Sequence, residues 1–189
     1  MPAVNERRER ERAHRHQLII TAARELAEAE GWEAVTTRRL AERVEYSQPV
    51  LYSHFNGKDA IVSAVALDGM IELAADLRRA RQAAPDQALR AVCGAYLEFA
   101  TRRPALYQAM FILPTDLKFG SAETPPPLRA AFGEFVSCFR SDNERRERFA
   151  EVLWSALHGI AVLSDSGRIP AEGQEERLDL LIAQMADHR

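Results

Sequence analysis

The sequence predicts an all-α protein of about nine helices. Three observations carry this. Apolar residues recur at i, i+3 and i+4 through most of the chain. No segment keeps the strict alternation of a half-buried strand. Gly and Pro fall between the periodic runs, at Gly31, Gly57, Pro85, Pro104 and the Pro-rich stretch before residue 128.

Each element follows from local pattern. Residues 1–15 are charged, carry almost no apolar side chain, and read as a flexible, fraying arm. From His16 to Glu30, Leu18, Ile19, Ala22, Ala23, Leu26 and Ala27 share one face; Gly31 ends the helix and Trp32 packs back on its last turn. Thr36 or Thr37 opens a short helix with Leu40, Ala41 and Val44 inward. Ser47 caps the next short helix, whose first turn takes Pro49 without losing a needed N–H. Asn56-Gly57 breaks the chain. One long helix then runs from Lys58 to about Gln82, with Ile61, Val65, Leu67, Met70, Ile71, Ala74 and Leu77 inward. Further helices are expected over about 85–102, 104–113, 128–140, 144–164 and 174–187, with a loop over 114–127.

Bulk composition narrows the function classes. The 189 residues have a formal net charge of −3, so any contact with a polyanion must be local. Residues 1–58 hold ten basic against nine acidic side chains, a bias too small to argue from. Cys93 and Cys138 sit singly in apolar helical patterns and read as reduced core thiols, not as a staple or a metal site. No apolar run is long enough to span a membrane, and the charged start is no secretory signal, so a cytoplasmic protein is expected. The chain shows no Gly-rich phosphate loop, nucleophile elbow or metal-ligand spacing. Ser155, His158 and Asp165 lie close in sequence, but Asp165 falls at the end of the helix, away from the other two, and no enzyme, metal or cofactor is expected.

The informative stretch is TTRRLAERVEYSQPVLYSHFNGKDA, residues 36–60. Two short helices, 37–44 and 48–54, joined by a turn at 45–47, have the spacing of a helix-turn-helix. Leu40, Val44, Leu51 and Phe55 would seal it. Thr36, Thr37, Arg38, Arg39, Gln48, Pro49, Tyr52, Ser53, His54 and Lys58 are left outside: hydroxyls, an amide, an imidazole and cations, the groups that bond phosphates and base edges. The first turn of such a second helix is what enters a major groove. Double-stranded DNA is therefore the expected partner. The arm at 1–15 could then be a solvated tail or a basic strand touching DNA, since Arg7, Arg8, Arg10, Arg12 and Arg15 are partly offset by Glu6, Glu9 and Glu11.

Residues from about 16 to 65 resemble the TetR (tetracycline-repressor-like) family of bacterial transcriptional regulators. The likeness rests on Ser47, Leu51-Tyr52, His54-Phe55 and Lys58 at this spacing. It implies that Thr37 and Arg38 hold phosphates, that Gln48 and Pro49 face bases, that Tyr52 meets a phosphate or a thymine methyl, and that His54 and Lys58 clamp the backbone. Arg39 would reach a base or groove edge. One position departs: where the family often has Gly in the turn, this chain has Glu45, so either the turn is built differently or Glu45 takes a strained conformation facing solvent.

The resemblance divides the chain into the arm at 1–15, a DNA-binding domain at 16–57, and an effector-binding and dimerisation domain at 58–189. The segment LWSALHGIAVLSDSGRI, 153–169, resembles one branch of the family. The aromatic content of 86–163 fits a small-molecule site for a largely apolar effector, with Tyr96, Phe99, Tyr107, Met110, Phe111, Phe135, Trp154 and His158 as its candidate lining. The last two long helices are apolar on more than one face. Leu153, Ala156, Leu157, Ile160, Leu178, Leu181, Ile182 and Met185 are the candidate surface of a symmetric homodimer.

Overall fold

The computed structural model describes residues 2–140 and 142–185. Nine α-helices occur among them: α1 (Pro2–Glu30), α2 (Thr37–Arg43), α3 (Gln48–His54), α4 (Lys58–Ala83), α5 (Ala88–Arg102), α6 (Pro104–Phe111), α7 (Pro126–Val136), α8 (Arg146–Asp165) and α9 (Gln174–Met185). Single 3-10 turns at Trp32–Ala34 and Pro85–Gln87 precede α2 and α5. The all-α expectation holds over the described residues, and the helix-turn-helix lies where the sequence placed it. The last two residues expected in the final helix, 186 and 187, lie outside the described residues.

The first helix departs from expectation. Residues 2–15, expected to fray, continue α1. Ala, Glu and Arg are among the strongest helix formers, and Arg7 pairs with Glu11 at i, i+4 (3.4 Å). Propensity, not burial, accounts for this extension. The buried face of α1 is also rotated from the one expected: Ile20 is buried and Leu18 is exposed.

The chain forms two compact units. One comprises residues 1–69 and 105–117, the other 70–104 and 118–189. The division thus falls inside α4 at Gly69, later than a cut at Lys58, and α6 belongs with the first unit. Ile61, Val62, Val65 and Ala66 of α4 are buried there, together with Leu40, Leu51 and Phe55. Gly69 lets α6 come close, since a Cβ at this position would stand 2.6 Å from Met110 Sδ. Glu28 of α1 accepts from the Ala105 and Leu106 amides (3.2 and 3.1 Å), capping the free N–H groups of α6. Trp32, expected only to pack back on α1, also donates its indole N–H to the Ala105 carbonyl (2.7 Å).

In the second unit α5 lies against α7, α8 and α9. Its buried face carries Leu89, Val92, Cys93, Tyr96, Leu97 and Phe99. A charge the sequence analysis missed is buried here: Glu134, 5% exposed, accepts from Arg78 and Arg81 of α4 (2.9 and 2.8 Å). Paired in this way, the carboxylate avoids the cost of an isolated buried charge. Arg90 ties α5 to α9 through Glu175 (2.8 Å) and Asp179. Ile71, expected inward, is 53% exposed, and Leu73 takes the buried position. Burial raises both thiols, Cys93 and Cys138, to about 12, which suits inert core cysteines.

Candidate nucleic-acid interface

Local chemistry builds the helix-turn-helix. Thr36 caps α2, its hydroxyl accepting from the Arg39 amide (3.2 Å). The turn after α2 is a Schellman arrangement: Tyr46 N–H bonds the Ala41 carbonyl (3.0 Å) and Glu45 N–H the Glu42 carbonyl (3.4 Å). Glu45 has φ 57, the left-handed region, and its side chain is exposed. The turn therefore keeps the geometry a glycine would take, and Glu45 bears its cost. Glu45→Gly should raise stability by about 1 kcal/mol, read as a higher urea midpoint at unchanged slope. A lower midpoint would show that Glu45 makes a compensating interaction.

Ser47 stands at the N-cap of α3, but its hydroxyl makes no capping bond, contrary to expectation. The reason lies in its neighbours. Pro49 offers no N–H, and the Val50 amide already bonds the Ser47 carbonyl (3.0 Å). The hydroxyl is thus exposed beside Gln48 and Pro49, which are exposed too. Tyr52, one turn on, is 55% exposed, and its hydroxyl lies 3.5 Å from Thr37 Oγ1. This contact joins the start of α2 to the middle of α3. Ser47, Gln48, Pro49, Tyr52 and the half-buried Thr37 therefore form one outward polar group.

Other candidates are engaged within the fold. Arg39 makes a two-pronged ion pair with Glu30 (2.7 and 2.9 Å) and also donates to the Ala34 carbonyl, clipping α2 to the end of α1. Hydrogen bonding from Arg39 holds the Glu30 carboxyl below its ordinary 4.5. Lys58 donates to the Trp32 carbonyl. Both side chains hold the helix-turn-helix to the segment that ends α1. Arg38 pairs with Glu42 at i, i+4 (3.0 Å) in a solvent-exposed bridge that is worth little. Ser53 donates back to the Val50 carbonyl (2.6 Å).

His54 is half-buried, and its Nδ1 is enclosed without a hydrogen-bond partner. Burial, then the nearby His16, Arg12 and Arg15, lowers its pKa below the ordinary 6.5, so the ring is neutral at pH 7. His16 stacks on Phe55 (centroids 4.3 Å apart), and Arg15 lies over the Tyr46 ring at 5.9 Å. Sequence reasoning missed His16 and Tyr46. Their aromatic rings were the available signal, but nothing in the spacing shows that α1 crosses the turn.

The eight effector candidates are divided between the units. Tyr107, Met110 and Phe111 lie on α6 in the first; Tyr96, Phe99, Phe135, Trp154 and His158 lie in the second. Within the second, Trp154 donates to the Tyr96 hydroxyl (3.0 Å), and Phe135 meets the Tyr96 ring edge-on (5.6 Å). Burial lowers the His158 pKa below 6.5, keeping the ring neutral. Of the dimer candidates, Leu153, Leu157, Leu178 and Met185 are already buried within a single chain, so they belong to its core. Ala156, Ile160, Leu181 and Ile182 remain half-exposed.

Residues 19–65 match the family of bacterial regulatory proteins named tetR, and 89–187 match the tetracyclin repressor-like C-terminal domain. An uncharacterized HTH-type transcriptional regulator of Mycobacterium tuberculosis, Rv0681, is 28% identical over 153 residues, 79% of this chain and 69% of that protein. The tetracycline repressor protein class C of Escherichia coli is 48% identical over 50 residues, 26% of this chain and 23% of that one. A TetR variant from Acinetobacter baumannii AYE, solved in complex with minocycline, shares the fold at a TM-score of 0.63 and 21% identity, over 89% of this chain and 94% of its own. With a helix-turn-helix and a C-terminal domain that both match, the chain belongs to the TetR family and is a DNA-binding transcriptional regulator.

Proposed function

We propose that the protein is a dimeric repressor that binds a palindromic operator and is released by a small, largely apolar effector. The observation carrying this is the outward group of Ser47 at the cap of α3 and Gln48, Pro49 and Tyr52 on it, with Thr37 and Arg38, a hydroxyl and a cation able to bond phosphate, at the start of α2. Gln48 reads a base edge through its amide and Pro49 makes apolar contact. Tyr52 and Thr37, already in contact, hold one phosphate between them. Two such heads, held one helical turn of DNA apart (~34–36 Å), read a palindrome.

The apolar stripe of α8, exposed at its ends and half-exposed between them, supports the dimer. Val152, Ala156, Gly159 and Leu163 recur at helical spacing, and Leu180 of α9 is 62% exposed. The Tyr96 hydroxyl, which accepts from Trp154, and the paired rings of Tyr96 and Phe135 support an effector that is mostly apolar with one or two polar contacts. The α4 helix begins directly after the reading head and continues into the second unit. An effector that favours one tilt of α4 changes the separation of the heads and releases the DNA.

Selection of binding sites from a random duplex pool, followed by titration of the winners at several salt concentrations, tests this reading. An enriched palindrome is expected, with Tyr52→Ala weakening it by about tenfold or more and Gln48→Ala relaxing the preference at one base per half-site, at about 1–3 kcal/mol. Failure to enrich any sequence, with binding indifferent to Tyr52, would overturn it.

A further inference from the structure

The first half of α1 is helical without an apolar face, so core packing does not explain its placement. Its arginines do have a pattern. Arg8, Arg12 and Arg15 recur at i, i+4 and i+7 and share one side of the helix. That side and the end of α3 enclose a groove of about 340 Å³, lined by Arg8, Glu11, Arg12, Arg15, Ser53 and His54. The one acid among them, Glu11, is paired with Arg7 (3.4 Å).

Two contacts fix this side of α1 against the helix-turn-helix. His16 stacks on Phe55, directly after α3, and Arg15 lies over Tyr46, in the turn before it. The groove thus gathers three guanidiniums and a histidine whose enclosed Nδ1 lacks a partner, beside Ser53, whose hydroxyl is held by the Val50 carbonyl. Burial first, and then the positive charge of Arg12 and Arg15, keeps that ring neutral. Such a concentration of positive charge is complementary to an anion.

We propose that this groove holds backbone phosphate of the DNA, which makes the N-terminal half of α1 a second DNA-contacting element flanking the reading head. This rests on the DNA-binding reading above. The length of the stripe favours a polyanion over a single small ion. From Arg8 to Arg15 is about 10 Å along the helix axis, some three phosphate rises of one DNA strand. Ser53 lies four residues after Pro49 and shares its side of α3, so the groove borders the face proposed to meet the duplex.

The test uses the full chain and the selected operator. Arg12→Gln, on the stripe, is compared with Arg10→Gln, which removes the same charge from the same helix outside the groove lining. Both keep a helix-forming residue. Arg12→Gln is expected to weaken the operator and a random duplex alike, by about tenfold, and to flatten the plot of log affinity against log salt by about one per protomer. Arg12→Lys should restore most of the slope, and Arg10→Gln should change it little. Equal effects of Arg10→Gln and Arg12→Gln would overturn the proposal, because bulk charge would then suffice. So would unchanged DNA binding by Arg12→Gln together with loss of a thermal shift produced by inorganic phosphate, which would make the groove a small-anion site. A wild-type protein that binds no duplex would overturn the DNA-binding reading itself, a distinguishable result.

Discussion

Val152→Asp combined with Leu163→Asp is expected to give a folded monomer whose affinity for a palindromic operator is lower by about 100-fold or more. Val152 is 57% exposed and Leu163 39% exposed, so neither is a core residue of the single chain. They lie three turns apart on α8 with Ala156 and Gly159 between them, and a Cβ added at Gly159 would meet nothing within 4 Å. In a two-fold interface each carboxylate would be buried against its own symmetry-related stripe, without a partner, in both protomers. A monomer loses the second half-site, and with it the factor of about 10²–10⁴ that linkage of two sites contributes. Sedimentation gives the mass and anisotropy the affinity. A dimer that survives both substitutions would place the interface elsewhere, and a monomer that binds the palindrome undiminished would remove the need for one.

The second large effect is on stability. Trp32→Ala should cost about 3–5 kcal/mol, the range for truncating a buried large aromatic. Trp32 is 5% exposed in the 3-10 turn that follows Gly31, whose φ of 81 turns the chain off α1. Its indole N–H bonds the Ala105 carbonyl at the start of α6, and its own carbonyl takes the Lys58 ammonium at the start of α4. One residue therefore joins the end of α1 to the starts of two other helices. Trp32→Phe, which keeps most of the apolar area but loses the hydrogen bond and part of the ring, should cost less, about 2 kcal/mol. Urea unfolding measures both. A loss below about 1 kcal/mol for Trp32→Ala would show that this junction is not what holds the first unit together.

Much of the candidate site was legible because it depends on local rules. Thr36, Pro49 and Gly31 act within one turn of their own positions, and the burial of Leu40, Leu51 and Phe55 follows from spacing. The outward placement of Gln48 and Tyr52 follows from the same spacing. The roles of Arg39 and Lys58 were not legible. Each is a cation beside an exposed polar helix, and sequence distinguishes a free cation from a clip only when the partner is known. Glu30 lies nine residues before Arg39, and Trp32 lies 26 residues before Lys58.

The sequence by itself determined the all-α class, the helix boundaries to within a few residues except at the start of α1, and a helix-turn-helix with a polar outer face, because capping, periodicity and turn chemistry are short-range. Only the tertiary structure decided which of several apolar faces is buried. Leu153, Leu157, Leu178 and Met185 are spent inside the chain while Val152 and Leu180 are left outside, a choice made by neighbouring helices. It also placed Glu134 between two arginines more than 50 residues away, and brought the Arg8, Arg12 and Arg15 side of α1 against the end of α3. In both cases the deciding term is the burial or gathering of charge. That energy depends on what lies within a few ångströms in space, which a pattern along the chain does not encode.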